Sequence, residues 1–317
     1  MSRDQSRPVR PKVVLVIVAI GLALGTVTAL GRVGYASWQR DRHLDRLARA
    51  MARRDLPAAI GELRELAGSQ WQEEERRALR GSLAALLSVT GEEAEARTIL
   101  EDLRRERPDD PDLWKRLGTN ALRAGDLDSA ERYLAGSLRL DPHDVLAELS
   151  LATVHALRGN RAAFLAAATR VAERYAKRSP ESIVDPTEAL GVAHLLAIAD
   201  LDVARARTYV ERGRVLREAA AVRDPTDGAA LDVVDGVVSY REGQFDRAVE
   251  RLRSGVAKMP VSSSCATMAG VHYFLGLANR GLGQVEPMLD AFRRALECAP
   301  NGLWAAEVER SLGRAAS

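Results

Sequence analysis

The sequence predicts an all-α protein built from repeated pairs of helices, and three observations support this prediction. Ala, Leu, Arg and Glu are abundant while aromatic residues make up only 4% of 317 residues, a composition typical of helices rather than strands. Gly91, Gly125 and Gly159 lie 34 residues apart. Apolar residues recur at helical spacing on both sides of Gly125. A fixed spacing of this length indicates a repeated unit of two helices.

The clearest copy of the repeat starts at Pro111. Its marker residues are, in order, Trp114, Leu117, Gly118, Gly125, Ala130, Leu134 and Pro142. The large apolar residues supply the packing stripes, the small residues let two helices approach closely, Gly125 suits the turn and Pro142 ends the second helix. This order resembles the tetratricopeptide-repeat pattern W-x2-L-G-x2-Y, A-x3-F, P, with Ala121 in place of Tyr and Leu134 in place of Phe.

The resemblance implies a right-handed α-solenoid of about seven helix pairs. By register, the repeats lie near residues 40–73, 77–110, 111–144, 145–178, 185–218, 229–262 and 269–302. The spacing departs from 34 at three stretches rich in loop-forming residues, which we interpret as insertions between pairs: 177–188, 219–228 and 261–268.

An apolar segment near the N-terminus predicts a membrane anchor. Residues 13–31 read VVLVIVAIGLALGTVTALG, without a charge between Lys12 and Arg32. At about 1.5 Å per residue, such a helix crosses a hydrocarbon core of roughly 30 Å. We therefore expect a basic tail over residues 1–12, a transmembrane signal-anchor helix over residues 13–31, a linker over residues 32–39 and the repeat domain over residues 40–317.

The location of the repeat domain depends on how this segment is processed and oriented. A cleaved secretory signal is the alternative, since Val27-Thr28-Ala29 offers small residues of the kind found at cleavage sites. Basic residues flank both sides of the segment, but large C-terminal domains are translocated largely regardless of charge. We expect a single-pass membrane protein with its repeat domain outside the cytoplasm, as in the bacterial inner membrane facing the periplasm.

The charge distribution argues against nucleic-acid binding. Residues 1–54 hold eleven Lys or Arg and three Asp, so the rest of the chain carries −6 within an overall charge of +2. Nucleic acids are bound by clustered cations, and a mildly acidic body offers none. The basic stretch over residues 40–54 either touches anionic lipid headgroups or is the solvated face of the first helix.

The family resemblance also implies which residues face a partner. In tetratricopeptide repeats, inward-facing positions of the first helix line a concave groove that binds extended or helical protein segments. These positions include Leu146, Leu149, Val233, Val237, Tyr240, Tyr273 and Leu277. Because this wall is mostly apolar, we expect an apolar or helical ligand segment, with Tyr240 and Tyr273 as anchors. The alternative is that the two tyrosines pack between adjacent helices.

Lys115 bears on one particular kind of ligand. Tetratricopeptide domains that hold a C-terminal carboxylate resemble one another in a Lys and an Asn four residues apart. Lys115 stands at the Lys position, but Thr119 stands where the Asn is expected. The resemblance therefore does not extend to carboxylate clamping.

No enzymatic activity is expected. The five histidines do not show the spacing of a zinc motif, and neither a G-x-S-x-G elbow nor a phosphate-binding loop occurs. An anchor and seven helix pairs leave no segment long enough for a catalytic domain. We therefore predict no catalytic residue, metal or cofactor.

These features together predict a membrane-tethered scaffold, or an assembly or chaperone factor, whose partners are other proteins. The alternative is a structural, self-associating module of the cell envelope. Such a module would use apolar patches on its terminal helices, and the low-polarity region around Leu303 and Trp304 is a candidate.

Cys265 and Cys298 are candidates for a disulfide. They flank the last predicted helix pair, and antiparallel helices bring the start of the first beside the end of the second. A bridge there would staple the terminal repeat and would favour a location outside the cytoplasm. The alternative is a pair of free thiols, since Cys298 occupies an apolar repeat position and free Cys packs well as a small hydrophobe.

Overall fold

The structure, a computed structural model, describes residues 39–53, 55–69, 71–219, 225–259 and 265–316. Within these ranges all regular structure is helical, which confirms the prediction of an all-α protein. The helices are α1 (39–53), α2 (Leu56–Gly68), α3 (Glu73–Thr90), α4 (Glu93–Glu106), α5 (Pro111–Arg123), α6 (Leu127–Leu140), α7 (Val145–Leu157), α8 (Arg161–Ala176), α9 (Pro186–Ala199), α10 (Val203–Ala219), α11 (Pro225–Arg241), α12 (Phe245–Lys258), α13 (Cys265–Gly281), α14 (Val285–Cys298) and α15 (Ala305–Ala316), with a short 3-10 helix at Pro180–Ser182.

The chain divides into two compact units, Met1–Leu83 and Ala84–Ser317, and the division falls inside α3. In the first unit, side-chain contacts join α1 to α2 and to the residues that follow it. The Trp71 indole donates to the Leu66 carbonyl at 2.7 Å, and the Arg40 guanidinium lies 4.9 Å from the centre of the Trp71 ring.

The second unit contains five successive helix pairs, from α5–α6 to α13–α14. The first helix of each pair is odd-numbered and packs against its own second helix. Each first helix also packs against the first helix of the next pair, so α5, α7, α9, α11 and α13 are neighbours in order. This arrangement makes one face of the unit entirely from first helices.

The helix starts repeat with the same period as the glycines. Asp110 and Asp144 stand at the N-caps of α5 and α7, and Asp126 and Asn160 stand at those of α6 and α8. Each of these side chains accepts a hydrogen bond from a backbone N–H of the first turn, at 3.0 to 3.2 Å. Such a cap contributes about 1 kcal/mol to helix stability, so every repeat carries its own start signals.

The turns inside the pairs use a left-handed backbone residue. Five glycines there have φ between 70° and 88°, namely Gly91, Gly125, Gly159, Gly243 and Gly283. Asp200 takes this role between α9 and α10 with φ 57°, a conformation that Asp tolerates better than most residues. The recurring glycines are therefore required by the tight turn.

A second set of glycines allows the two helices of a pair to touch. Gly118, Gly236 and Gly276 lie on first helices, and a Cβ atom added at any of them would lie only 2.4 to 2.7 Å from a large apolar side chain of the second helix. These side chains are Leu134, Leu252 and Phe292, and each is fully buried. The interhelical distance in these pairs is set by this contact.

Helix α11 carries two carboxylates that are almost completely buried, Asp232 and Asp235. Arg207 of α10 forms an ion pair with Asp235, and Arg247 of α12 lies 3.2 Å from the same carboxylate. Burial opposes ionisation of Asp235, but hydrogen bonds from the two arginines outweigh it and lower the pKa of the carboxyl group. Ionic contacts from both sides thus hold α11 between α10 and α12.

The prediction of a single-pass membrane location is not supported and is withdrawn. None of the helices in the described part of the chain is both long and apolar enough to span a bilayer. Those helices bury their apolar residues against one another, and the surfaces that remain carry charged side chains. The segment on which the prediction rested, residues 13–31, lies outside the described residues.

Gly118→Val tests the close approach of α5 and α6. A branched side chain would overlap Leu134, so we expect the free energy of unfolding to fall by about 2 kcal/mol or more. Chemical denaturation followed by circular dichroism measures the change. Gly61→Ala is the control, because Gly61 lies inside α2 with open space around it and should gain roughly 0.5 to 1 kcal/mol. Equal stability of Gly118→Val and the natural protein would contradict this packing.

Candidate functional site

A partly open cavity of about 330 Å³ lies against the first helices α5, α7 and α9. Its lining is largely apolar and includes Leu122, Leu146, Leu149, Phe164, Leu195 and Ile198. Thr153 lines the cavity and is exposed, so the cavity reaches solvent beside α7. The site is therefore a small apolar recess on the face built from first helices.

The far wall of the cavity comes from the C-terminal part of the chain. Ala266 and Gly270 of α13 line it, together with Trp304, which directly precedes α15. The backbone N–H of Leu303 donates to the Ala156 carbonyl at the end of α7, at 2.9 Å. Asn301 lies so close to Gly159 that a Cβ atom there would be 2.3 Å from its carbonyl oxygen. The loop before α15 is thus seated on the α7–α8 turn.

Trp304 is held in place by an aromatic neighbour. Its ring stacks on Tyr273 of α13, with centroids 5.4 Å apart and planes inclined by 15°. The Tyr273 hydroxyl donates to Glu307 of α15 at 2.7 Å. Burial, together with this hydrogen bond, raises the pKa of Tyr273 well above its usual value. Tyr273 therefore fixes both the wall of the cavity and the start of α15.

Lys115 lies at one end of the cavity, and its charge is balanced. Its Nζ atom is 2.9 Å from Asp144 Oδ2 and 3.2 Å from Asp112 Oδ1. Burial opposes its charged form, but the hydrogen bond and charge of Asp144 outweigh this and raise the pKa of Lys115. Arg116, which also lines the cavity, pairs with Asp112 at 2.6 Å. This end of the site has no excess positive charge for a carboxylate.

His194 of α9 brings an imidazole to the same cavity. Burial disfavours the charged ring and lowers the pKa of His194 to about 4, so it is neutral at physiological pH. Among the described residues, neither ring nitrogen makes a hydrogen bond or an ion pair. The cavity therefore contains a neutral group with one donor and one acceptor, both unused.

The residues that the sequence assigns to the groove fall into three groups. Lys115, Leu146 and Leu149 line the cavity. Tyr273 lines an adjacent, more polar cleft of about 260 Å³, and Tyr240 packs against Phe274 with ring centroids 5.6 Å apart. The third group is in the core, with at most 4% of each residue exposed: Val233, Val237 and Leu277.

The third group corrects the predicted groove. A partner cannot contact side chains that neighbouring helices already cover. Helix α11 packs against α9 and α13 on the face where its inward positions lie, which explains why Val233 and Val237 are shielded. We therefore exclude these three residues from the candidate site.

Two residues that matter for the site were not among the predicted groove positions. The sequence treats His194 as a packed or surface histidine, since no partner residue is spaced from it in a recognisable motif. It treats Trp304 as a candidate for self-association, whereas the structure buries it to 94% within the chain. An unpaired polar residue in the apolar run of residues 189–198 is the signal that points to His194.

Cys265 begins α13 and Cys298 ends α14. The structure places their sulfur atoms at bonding distance, with the two Cα atoms 4.8 Å apart. This separation is within the range that a disulfide spans without moving the backbone. A bridge here would tie together the ends of the helix pair that supplies Gly270 and Tyr273 to the site.

Comparisons with known proteins bear on the fold. No protein-family model matches the sequence, and no curated protein matches it. Among solved structures, the crystal structure of the APC/C hetero-tetramer Cut9–Hcn1 matches with a TM-score of 0.54 and 18% identity. The match covers 86% of this chain and 48% of that chain, so this chain spans about half its length.

Two further structures match with lower TM-scores. A tetratricopeptide repeat protein from Parabacteroides merdae ATCC 43184 has a TM-score of 0.46 and 12% identity, over 88% of this chain and 99% of that one. PilW, described as a widely conserved type IV pilus biogenesis factor, has a TM-score of 0.43 and 13% identity, over 78% and 100%. The structural neighbours are tetratricopeptide-repeat proteins, and at these identities the likeness shows the fold alone.

Reduction tests the cysteine pair. If the bridge forms, the denatured, unreduced protein contains no thiol that reacts with maleimide. Closing a loop with a 33-residue separation stabilises a protein by about 3 to 4 kcal/mol in the chain-entropy estimate, so reduction should lower the free energy of unfolding by up to that amount. Mass spectrometry after labelling counts the thiols. Two labelled cysteines in unreduced protein would contradict the bridge.

The depressed pKa of His194 predicts how stability changes with pH. The unfolded chain takes up a proton near pH 6.5 and the folded chain only near pH 4, so the contribution of neutral His194 is complete above about pH 6.5 and is lost as the pH falls towards 4. Between about pH 7.5 and about pH 5 the loss is roughly 2 kcal/mol at most. His194→Gln should remove this part of the pH dependence.

Denaturation curves at the two pH values measure the effect for each variant. His143→Gln is the matched control, because His143 is exposed and lies before α7, outside the cavity. An unchanged pH dependence in His194→Gln would show that the imidazole is not buried in its neutral form.

Proposed function

We propose that this protein is an interaction scaffold that binds segments of partner proteins on the face formed by the first helices α5, α7 and α9. The observation that carries the proposal is the partly open apolar cavity on that face. Apolar recesses with a few polar groups are the usual binding sites of proteins. The tetratricopeptide type of fold supports the same function, since such helix arrays present surfaces to other proteins.

The charge balance of the site supports an apolar ligand segment. Lys115 and Arg116 are matched by Asp112 and Asp144, so a partner carboxylate would have to displace an existing ion pair. Leu146 and Leu149 provide the apolar contact area. We therefore propose recognition of an uncharged, apolar or helical segment.

The self-association alternative receives less support. It requires apolar residues of the C-terminal region to be available on the surface. Trp304 and Val308 are buried within the chain, and Leu303 is engaged with Ala156 through its backbone N–H. We therefore do not propose a homo-oligomer.

Charged substitutions at the cavity test the proposal. Leu146→Lys and Thr153→Arg place cations in or beside the apolar recess, and both positions retain some exposure, so the fold should tolerate them. We expect each to reduce capture of partner proteins by tenfold or more, as measured by photo-crosslinking from a residue at Ser150 and quantitative mass spectrometry. Circular dichroism and thermal unfolding check that the variants are folded.

Val215→Lys is the matched control. Val215 is an exposed apolar residue on the second helix α10 and does not line the cavity. It should leave the set of captured proteins unchanged. Loss of capture in the control, or undiminished capture in both cavity variants, would refute the proposed site.

A further inference from the structure

His194 leaves an unmet demand for a hydrogen bond inside the cavity. Its imidazole lines the recess, and among the described residues no side chain or backbone group is bonded to either nitrogen. A buried polar group without a partner costs roughly 1 to 3 kcal/mol, so a ligand that supplies the partner gains that free energy. The ligand is therefore expected to bring one uncharged hydrogen-bonding group to His194.

The charged groups of the cavity do not supply this bond. Lys115 and Arg116 are the cationic residues in its lining, and both face the carboxylates of Asp112 and Asp144. Two ionic pairs at one end and a neutral imidazole on α9 leave the recess without a charge to attract an ion. An anionic or cationic ligand group would lose its hydration there without compensation.

The dimensions and walls of the cavity suit one aromatic ring. In another protein, an engineered apolar cavity of about 150 Å³ binds benzene, and the present volume is about 330 Å³. Phe164 and Trp304 supply aromatic walls, and Gly191 and Gly270 contribute no side chain to the lining. Aromatic rings pair favourably in edge-to-face and offset geometries.

The chain itself already holds an aromatic residue on this face. The segment from Asn301 to Trp304 is fixed to the α7–α8 turn by the hydrogen bond from Leu303 to Ala156, and its indole forms the wall of the cavity. The same surface therefore accepts a peptide segment through one backbone hydrogen bond and one aromatic ring.

We propose that the cavity binds a tyrosine side chain of a partner segment, with the phenol ring between Phe164 and Trp304 and its hydroxyl bonded to His194. This inference rests on the proposed function and specifies its ligand. Tyrosine satisfies both demands, because its ring is apolar and its hydroxyl is uncharged at neutral pH and can donate or accept. Phenylalanine fills the space but leaves His194 unpaired.

Capped tripeptides test the assignment on the full-length chain. Acetyl-Ala-Tyr-Ala-amide should bind about fivefold more tightly than acetyl-Ala-Phe-Ala-amide, the difference expected for one net hydrogen bond. Isothermal titration calorimetry measures both affinities. His194→Leu should abolish the preference by weakening the tyrosine peptide alone. His272→Leu, which changes another largely buried histidine outside this cavity, should preserve the preference.

A measurement on the unmodified protein covers the case in which His194→Leu does not fold. The tyrosine peptide should shift the nuclear magnetic resonance signals of one imidazole only, the one that stays neutral down to about pH 5. Equal binding of the two peptides, a preserved preference in His194→Leu, or an unshifted imidazole would overturn the tyrosine assignment. Binding of free p-cresol without binding of the tyrosine peptide would also overturn it and would indicate a small-molecule site.

The proposed function can fail separately. If the tripeptides do not discriminate while Leu146→Lys still prevents partner capture, the tyrosine assignment is wrong and the scaffold function stands. If tyrosine peptides bind at His194 but cavity substitutions leave partner capture unchanged, the site is real and the scaffold function does not use it.

Discussion

The close contact between the two helices of a pair is the constraint on which the second unit depends. In three pairs a glycine of the first helix faces a large buried side chain of the second, as Gly118 faces Leu134. A side chain at the glycine would push the helices apart and tilt every later first helix. Because the first helices are neighbours in order, the shape of their shared face is the sum of these local distances.

The C-terminal segment adds a long-range contact to an otherwise local architecture. In stacked helix pairs most contacts join neighbours, and stability is close to a sum of repeat and interface contributions. The bond between Leu303 and Ala156 joins the turn after α7 to the start of α15, far along the sequence. Since Trp304 stacks on Tyr273 in the same place, loosening of the last pair would also open the cavity on α5, α7 and α9.

Polar groups play two different parts in this unit. On α11, Asp232 and Asp235 are buried but surrounded by cations of α10 and α12, so their desolvation is offset by ion pairs. In the cavity, Lys115 is compensated in the same way, whereas His194 is not. Compensated charges specify how helices pack, and the uncompensated imidazole marks the place where an external group can be accommodated.

The sequence by itself determined the helices, their pairing within the repeat and the turns between them, because these features depend on residues close together in the chain. The 34-residue spacing of Gly91, Gly125 and Gly159 reports a backbone conformation that glycine adopts at least cost, and the marker residues of the copy at Pro111 report local packing. The N-caps repeat with the same period and are equally local.

Only the tertiary structure decided which inward positions remain available to a ligand. Leu146 and Val237 occupy comparable positions on first helices, yet one lines a cavity and the other is completely buried. The difference arises from how tightly each first helix meets its neighbours and from where the C-terminal segment returns to the array. These distances join residues far apart in sequence, such as Ala156 and Leu303, so no local pattern encodes them.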